Sequence, residues 1–166
     1  ASDCSDSYER ISIQQGLSYG YPLSSISAHV SHRVNHQTLR VTPYSSKFDV
    51  ASFGVLGYEL MLNELTKVEQ KEIKNQIAFY KEHRELFQYG DFYIVKPKKY
   101  EGDTAMWMVQ SKDHKEAIIG YFNGLQSLCP KETFLKGYNF LKGKQYSVEV
   151  MNQPHNIKKF GNLVNM

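Results

Sequence analysis

The spacing of apolar residues predicts alternating helices and strands along residues 1–90. Ser5 or Asp6 can cap the first helix, Thr66 and Glu69 form a capping-box pattern, and Gly90 suits the end of the helix that this box opens. In chain order, the predicted elements are a helix ending near residue 15, a strand over 26–31, a polar loop over 33–42, a helix over 48–55, a strand over 57–61 and a helix over 66–89. This order is typical of a parallel α/β unit, and periodicity alone leaves open whether its sheet closes into a barrel.

Short apolar runs separated by Gly, Pro, Lys and Asn replace this alternation from residue 91 onward, as is typical of antiparallel strands. The predicted strands cover 92–95, 105–110, 117–123 and 146–151. Trp107 falls within the second of these runs, and we assign it to the core of the β region. The change of pattern divides the chain into two predicted domains, 1–92 and 93–166.

Composition limits the class of protein. The 166 residues are 41% hydrophobic and 22% charged, which is typical of a globular chain. The net charge of +3 comes from dispersed lysines, so no nucleic-acid partner is predicted. No apolar run reaches the roughly 20 residues of a membrane span, and no signal peptide is evident, so no membrane partner is predicted. Cys4 and Cys129 lie far apart and lack CxxC spacing, so neither a disulfide framework nor a zinc site is indicated, and a reducing, cytoplasmic compartment fits.

Two stretches are too polar for an ordinary core. Residues 2–10 read SDCSDSYER, and residues 28–40 read AHVSHRVNHQTLR. Asp3 would lie at a strand-to-helix junction, where a carboxyl group can act as a catalytic acid. The alternative is that Asp3, with Asp6, merely supplies negative charge and a cap at the start of the helix, and the residues alone leave both interpretations open.

Three histidines suggest a metal site at first sight. His29, His32 and His36 would share one face of a helix, but the pattern around them predicts a strand followed by a loop, which does not keep that spacing. We therefore predict no metal and no cofactor. His29 is expected to be a buried, hydrogen-bonded residue of the strand.

The two polar stretches closely resemble the bacterial α-galactosidases of glycoside hydrolase family 36. That family's pattern reads S-D-x-T-D-x-x-E-R and then A-H-V-S-x-x-x-N-H-Q-T-x-R, and further motifs follow in the family's order to about residue 93. The resemblance implies that residues 1–92 form the last portion of a (β/α)8 TIM barrel. It also implies that residues 93–166 belong to an antiparallel β-sandwich that is incomplete here.

The same resemblance implies the roles of individual residues. Asp3 matches the general acid/base of a retaining α-galactosidase, which would cleave terminal galactosyl groups from α-galactoside oligosaccharides. The family's nucleophile lies in a K-W-D motif that is absent here, so the chain alone is expected to be inactive. The implied substrate-binding residues are Ser2, Cys4, Asn35 and His36, and the implied supporting residues are Asp6 and Arg10.

The sequence also departs from the family. Cys4 stands where relatives commonly have an acidic or polar residue, and Val34 replaces a usual proline. Because Ala1 immediately precedes the Asp3 motif, we expect a C-terminal piece of a longer protein, which the resemblance implies is a homo-oligomer. Two rival interpretations are a non-catalytic carbohydrate-binding or assembly module and a transferase with the same chemistry.

Overall fold

Two small sheets and four helices form the described part of the computed structural model, which covers residues 3–98, 104–124 and 137–151. The elements are α1 (Ser7–Ser18), β1 (Ser27–Ser31), α2 (Tyr44–Ala51), β2 (Val55–Glu59), α3 (Lys67–Glu82), α4 (Arg84–Tyr89), β3 (Asp91–Lys96), β4 (Thr104–Gln110) and β5 (Ala117–Asn123). Short 3-10 turns lie at Leu23–Ser25 and Leu62–Glu64. None of the helices within these ranges is long and apolar enough to cross a membrane.

The parallel pair β1 and β2 confirms the predicted α/β unit. The strands run in register from Ser27 opposite Val55 to Ser31 opposite Glu59, and α2 connects them. Ala28 and Val30 of β1 are fully buried on one face of this pair. Alternate residues of a strand point to opposite faces, so the remaining positions of β1 point the other way.

His29 lies on that second face, and the prediction that it is buried is wrong. Its side chain is 48% exposed, and its Nδ1 lies 3.9 Å from Oε2 of Glu59 at the end of β2. Gly57 makes room for the imidazole, because a Cβ at Gly57 would come within 2.5 Å of Cδ2 of His29. This face of the parallel pair is therefore exposed at Ser27, His29 and Glu59 within the described chain, whereas Ser31 at its end is buried.

Several helix and strand boundaries differ from those that the sequence predicted. Helix α2 begins at Tyr44 because the extended Pro43 precedes it and proline suits a helix start, whereas the apolar pattern had suggested residue 48. The capping box of Thr66 and Glu69 is confirmed. The single long helix predicted after this box is instead two helices, because His83 leaves the helical conformation and Phe87 then stacks on Tyr80 at 5.6 Å between ring centroids.

The antiparallel sheet is confirmed, with β4 between β3 and β5. The strand predicted over 146–151 is wrong: these residues form no strand. Val148 and Val150 are 80% and 49% exposed, so the alternation there has no core to face. The hydroxyl of Tyr146 instead donates to the carbonyl oxygen of His114 over 2.9 Å.

One apolar core joins the two sheets. Phe53, in the connection between α2 and β2, lies 5.4 Å from Phe87, 5.6 Å from Trp107 and 6.0 Å from Phe122, centroid to centroid. Trp107 is 1% exposed, as expected for a core residue. Edge-to-face aromatic pairs of this kind contribute about 0.5–1.5 kcal/mol each beyond their buried area, so Phe53 couples the parallel pair to β4 and β5.

Candidate active site

The turn that carries Asp3 leads directly into helix α1. Asp6 is the N-cap of this helix: its backbone is extended, and its Oδ1 accepts a hydrogen bond of 2.9 Å from the backbone N–H of Tyr8. Asp6 is 1% exposed, whereas Asp3 is exposed. The two carboxyl groups therefore differ in environment: one is fixed inside the chain and the other is open to solvent.

The polar loop after β1 holds this turn in place, with Asn35 at its centre. Asn35 is 1% exposed, and its Nδ2 donates to Oγ of Ser5 over 3.1 Å. Its Oδ1 accepts from the backbone N–H groups of Gln37 and Thr38, both at 2.9 Å. Nε2 of Gln37 donates to the backbone carbonyl oxygen of Asp3 over 3.4 Å. Asn35 thus positions the loop that contacts Asp3, and its predicted contact with substrate stays a prediction.

Arg40 and Thr38 from the same loop both contact the Asp6 carboxylate. Nη1 of Arg40 lies 2.6 Å from Oδ2 of Asp6, and Oγ1 of Thr38 donates a short hydrogen bond to the same oxygen. Burial alone would raise the pKa of Asp6, but the hydrogen bonds from Thr38, Tyr8 and Arg40 outweigh it and lower that pKa below its ordinary value. The run of polar residues after β1 indicated that this loop could contact the turn. It did not indicate that Arg40 is the cation that pairs with Asp6.

Arg10, one of the two implied supporting residues, contacts the start of β1. It is 5% exposed, its Nη2 donates to the carbonyl oxygen of Ser27 over 2.6 Å, and its Nε donates to Oε1 of Gln14 over 3.3 Å. Arg10 therefore links α1 to the start of β1, which keeps the turn before α1 near the parallel pair.

A buried lysine, Lys47, contacts the turn that carries Asp3 through the hydroxyl group of Ser31. Nζ of Lys47 donates to Oγ of Ser31 over 3.1 Å, and this hydroxyl donates to the carbonyl oxygen of Ser5 over 3.2 Å. Lys47 is 2% exposed; burial lowers its pKa, and the negative charge of Asp6 opposes that change. The sequence reasoning missed Lys47, because a lysine in the polar run before Phe48 gives no sign that it will be buried.

A groove of about 570 Å³ lies at the carboxyl ends of β1 and β2, next to this turn. It is lined by Ser5, Ser31, His32, Val34, His36, Glu59, Leu60, Met61 and Glu64. Of the predicted substrate-binding residues, His36 lines the groove, Cys4 is half-buried, and Ser2 lies outside the described residues. Asp3 is two residues from Ser5 of the groove wall.

The groove lies at the carboxyl ends of parallel strands, which is where α/β barrel enzymes have their active sites, and Ser5 of the Asp3 turn lines it. The family model described as Melibiase matches residues 1–90, more than half of the chain. The chain therefore belongs to the Melibiase family, and the resemblance to α-galactosidases of glycoside hydrolase family 36 is confirmed.

Individual relatives are similar over most of this chain but extend well beyond it. α-Galactosidase AgaA of Geobacillus stearothermophilus is 39% identical over 89% of this chain and 20% of its own length. α-Galactosidase 1 of Pediococcus pentosaceus is 42% identical over 74% of this chain and 17% of its own length. A solved structure of an AgaA variant with raffinose gives a TM-score of 0.79 at 39% identity, over 84% of this chain and 19% of that one. The chain thus spans about a fifth of the length of these relatives.

Proposed function

We propose that this chain is the acid/base-bearing part of an α-galactosidase that hydrolyses terminal α-galactosyl residues of oligosaccharides with retention. One observation supports this most: the exposed Asp3 extends from a turn that the polar loop holds on both sides, beside a groove at the carboxyl ends of parallel strands. The residues involved lie within the part of the chain that the Melibiase model matches.

In this mechanism, Asp3 acts twice. Its protonated carboxyl group donates a proton to the glycosidic oxygen while a second carboxylate attacks the anomeric carbon of galactose and the leaving sugar departs. The resulting Asp3 carboxylate then takes a proton from water, whose oxygen attacks the same carbon and releases galactose and the second carboxylate. We assign that nucleophile to a K-W-D segment of a longer protein, because this sequence carries no such motif.

The polar network explains how Asp3 could be held for both steps. Hydrogen bonds reach the turn at the carbonyl oxygens of Asp3 and Ser5 and at the Asp6 carboxylate. Because Arg40 compensates the charge of Asp6, the turn keeps a fixed shape while Asp3 changes between its neutral and ionised forms. Fixing the proton donor in this way removes orientational freedom that would otherwise slow proton transfer.

The finer architecture is part of this proposal. We propose that residues 1–92 complete a (β/α)8 barrel and that residues 93–166 belong to a β-sandwich. Parallel sheets are usually covered on both faces, and the partly exposed face with His29 and Gly57 would be covered in a closed barrel. A homo-oligomeric enzyme and a cytoplasmic location remain proposals of the same kind.

The proposed substrates are neutral α-galactoside oligosaccharides. Solved structures of AgaA variants hold raffinose and stachyose, and the groove here offers Glu59, Glu64 and His36 as hydrogen-bonding groups for sugar hydroxyls. Ser2, Cys4 and Asn35 are retained as further proposed contacts around the same site.

The proposal is tested with the product of the complete open reading frame. This protein should hydrolyse p-nitrophenyl α-galactoside, and the 166-residue chain alone should not. Asp3→Ala should lower activity on raffinose by about 10²–10⁴-fold, as expected for loss of a general acid, and azide should restore turnover of an activated galactoside. Asp113→Ala, in the exposed turn between β4 and β5, is the control. An inactive full-length product, or a frame that begins with this chain, would instead support the assembly module.

A further inference from the structure

Tyr8, at the start of helix α1, contacts the segments that follow β3 and β5. Nζ of Lys98, which follows β3, lies 3.4 Å from the centroid of the Tyr8 ring and donates to the carbonyl oxygen of Tyr8 over 3.3 Å. Cζ of Arg40, from the polar loop, lies 4.5 Å from the same centroid. Tyr8 is therefore contacted by cations from two distant segments, and such contacts contribute about 0.5–2 kcal/mol each.

Gly124, which follows β5, packs against the same ring. A Cβ at Gly124 would come within 2.1 Å of Cε2 of Tyr8, so any side chain there would displace the ring or the segment after β5. The segment after β3 is fixed separately, because the backbone N–H of Lys98 donates to Oε1 of Gln15 over 2.7 Å and Nε2 of Gln15 donates back to the carbonyl oxygen of Lys98 over 3.3 Å. The carboxyl-terminal ends of the two edge strands, β3 and β5, lie at the same end of the sheet, and the residues that follow them both contact α1.

Tyr8 transmits this contact to the turn that carries Asp3. Its backbone N–H donates to Oδ1 of Asp6 over 2.9 Å, and Asp6 is fixed in turn by Arg40. A shift of Tyr8 would move Asp6, the cap of the helix. It would also move Asp3, because only Cys4 and Ser5 separate Asp3 from Asp6 in the chain. Lys98 and Gly124 lie beyond residues 1–90, so they are outside the segment that the Melibiase model matches.

We infer that Tyr8, Lys98 and Gly124 are positioning residues through which the antiparallel sheet sets the place of the Asp3 proton donor. This inference rests on the proposed function. It gives the β region a role in the reaction other than binding sugar: the ends of β3 and β5 brace the helix whose cap adjoins the acid.

Leaving-group dependence distinguishes a positioning role from general damage. Two aryl α-galactosides are compared by kcat/KM with the product of the complete open reading frame. Phenyl α-galactoside has a poor leaving group and needs the proton, whereas 2,4-dinitrophenyl α-galactoside leaves without it. Asp3→Ala sets the scale, since losing the acid should affect only the phenyl substrate strongly.

Gly124→Ala and Tyr8→Leu should lower kcat/KM for the phenyl substrate by about tenfold or more and for the dinitrophenyl substrate less than about twofold, because small displacements of a catalytic group cost rates of this order. Lys98→Met should have a smaller effect of the same kind. Gly16→Ala, at a glycine of α1 with nothing within 4 Å of its Cβ position, should change neither value and is the matched control.

Equal losses on both substrates, or no loss on the phenyl substrate, would overturn the inference. If Gly124→Ala fails to fold, the same comparison with Tyr8→Leu and Lys98→Met decides it. If Asp3→Ala itself shows no dependence on the leaving group, the proposed function is overturned and the inference with it; a dependence for Asp3→Ala alone overturns only the inference.

Discussion

Nη1 of Arg40 lies 2.6 Å from Oδ2 of Asp6, although the two residues are 34 positions apart. Asp6 caps helix α1, and Arg40 lies in the polar loop after β1. The pair therefore closes the loop over the turn that carries Asp3. Because the pKa of Asp6 is lowered, this contact should make the stability of the chain depend on pH in the acid range.

Removing the Asp6 carboxylate should destabilise the chain. Asp6→Ala loses the helix cap and the hydrogen bonds from Thr38 and Arg40, and it should lower the free energy of unfolding by about 2–3 kcal/mol in urea titrations at pH 7. Asp6→Asn keeps an acceptor for the cap and should lose less. Glu82→Gln, exposed at the end of α3, is the control and should match the wild type.

The same carboxylate predicts a specific acid limb. Because the pKa of Asp6 is lower in the folded chain than its unfolded value of about 3.9, its contribution is complete above that value and is lost as the pH falls through the folded pKa. Urea titrations from pH 6 to pH 2.5 should therefore converge for the wild type and Asp6→Asn at the acid end. A constant difference across this range would contradict the assignment.

The buried charge of Lys47 should lower the stability of the chain, whereas the volume of its side chain should be needed to fill the core. Lys47→Met should unfold with a free energy equal to or above that of the wild type at pH 7, because an apolar side chain of similar size removes a buried ammonium group. Lys47→Ala should lose about 2–4 kcal/mol, because it leaves a cavity. Urea titrations of both variants measure these differences.

The pH dependence of Lys47 has the same direction as that of Asp6 but falls at neutral to alkaline pH. Its pKa is lowered in the folded chain, so between that pKa and the unfolded value of about 10.4 the folded state binds fewer protons and the wild type gains stability as the pH rises. Any advantage of Lys47→Met should therefore shrink from pH 7 toward pH 10. An advantage that grows with pH would show that the ammonium is not penalised by burial.

Gly54 should not accept a side chain. A Cβ at Gly54 would lie 2.7 Å from the carbonyl oxygen of Ile26 and 3.2 Å from Cβ of Ala28, and neither atom belongs to a flexible side chain. Gly54→Ala should therefore lower the free energy of unfolding by about 1–3 kcal/mol. Gly20→Ala, with nothing within 4 Å, is the comparison and should cost much less. Equal stability of the two variants would mean that β1 and β2 are not packed this closely.

Leu39 is expected to be suboptimal for stability. Its φ is +58° and its side chain is 75% exposed, so it has an unfavourable backbone conformation without burying apolar surface. Leu39→Gly should raise the free energy of unfolding by up to about 1 kcal/mol. A left-handed conformation costs about 1–2 kcal/mol for most residues, and glycine avoids this cost. The gain is partly offset because glycine also increases the conformational entropy of the unfolded chain. Leu62→Gly, also at an exposed leucine, should be destabilising.

The sequence predicted the elements better than their boundaries. Apolar spacing identified the order of helices and strands through β5, apart from the division between α3 and α4, and the Thr66 capping box located the start of α3, because caps and periodicity are local properties. The break at His83 depends on the packing of Phe87 against Tyr80, which no local pattern contains. The burial of His29 was mispredicted because alternation identifies two faces of a strand but not which of them is covered.

The polar motifs predicted the region of the candidate site but not the hydrogen bonds and ion pairs within it. Asp3, Asn35 and His36 were recognised from their runs, whereas Arg40, Lys47 and Ser31 entered only through distances across the fold. An ion pair over 34 residues has no sequence signature, since any of several nearby cations could make it. Arg10, one helical turn from Asp6, had the better spacing and bonds to Ser27 instead.

Phe53 has a practical consequence for cutting this chain. The segment matched by the Melibiase model ends at residue 90, but the ring of Phe53 packs against Trp107 and Phe122 beyond that point. A recombinant piece trimmed to the matched segment would expose this aromatic surface to water and invite aggregation. Expression boundaries chosen for crystallography or labelling should therefore retain the chain at least through Gly124.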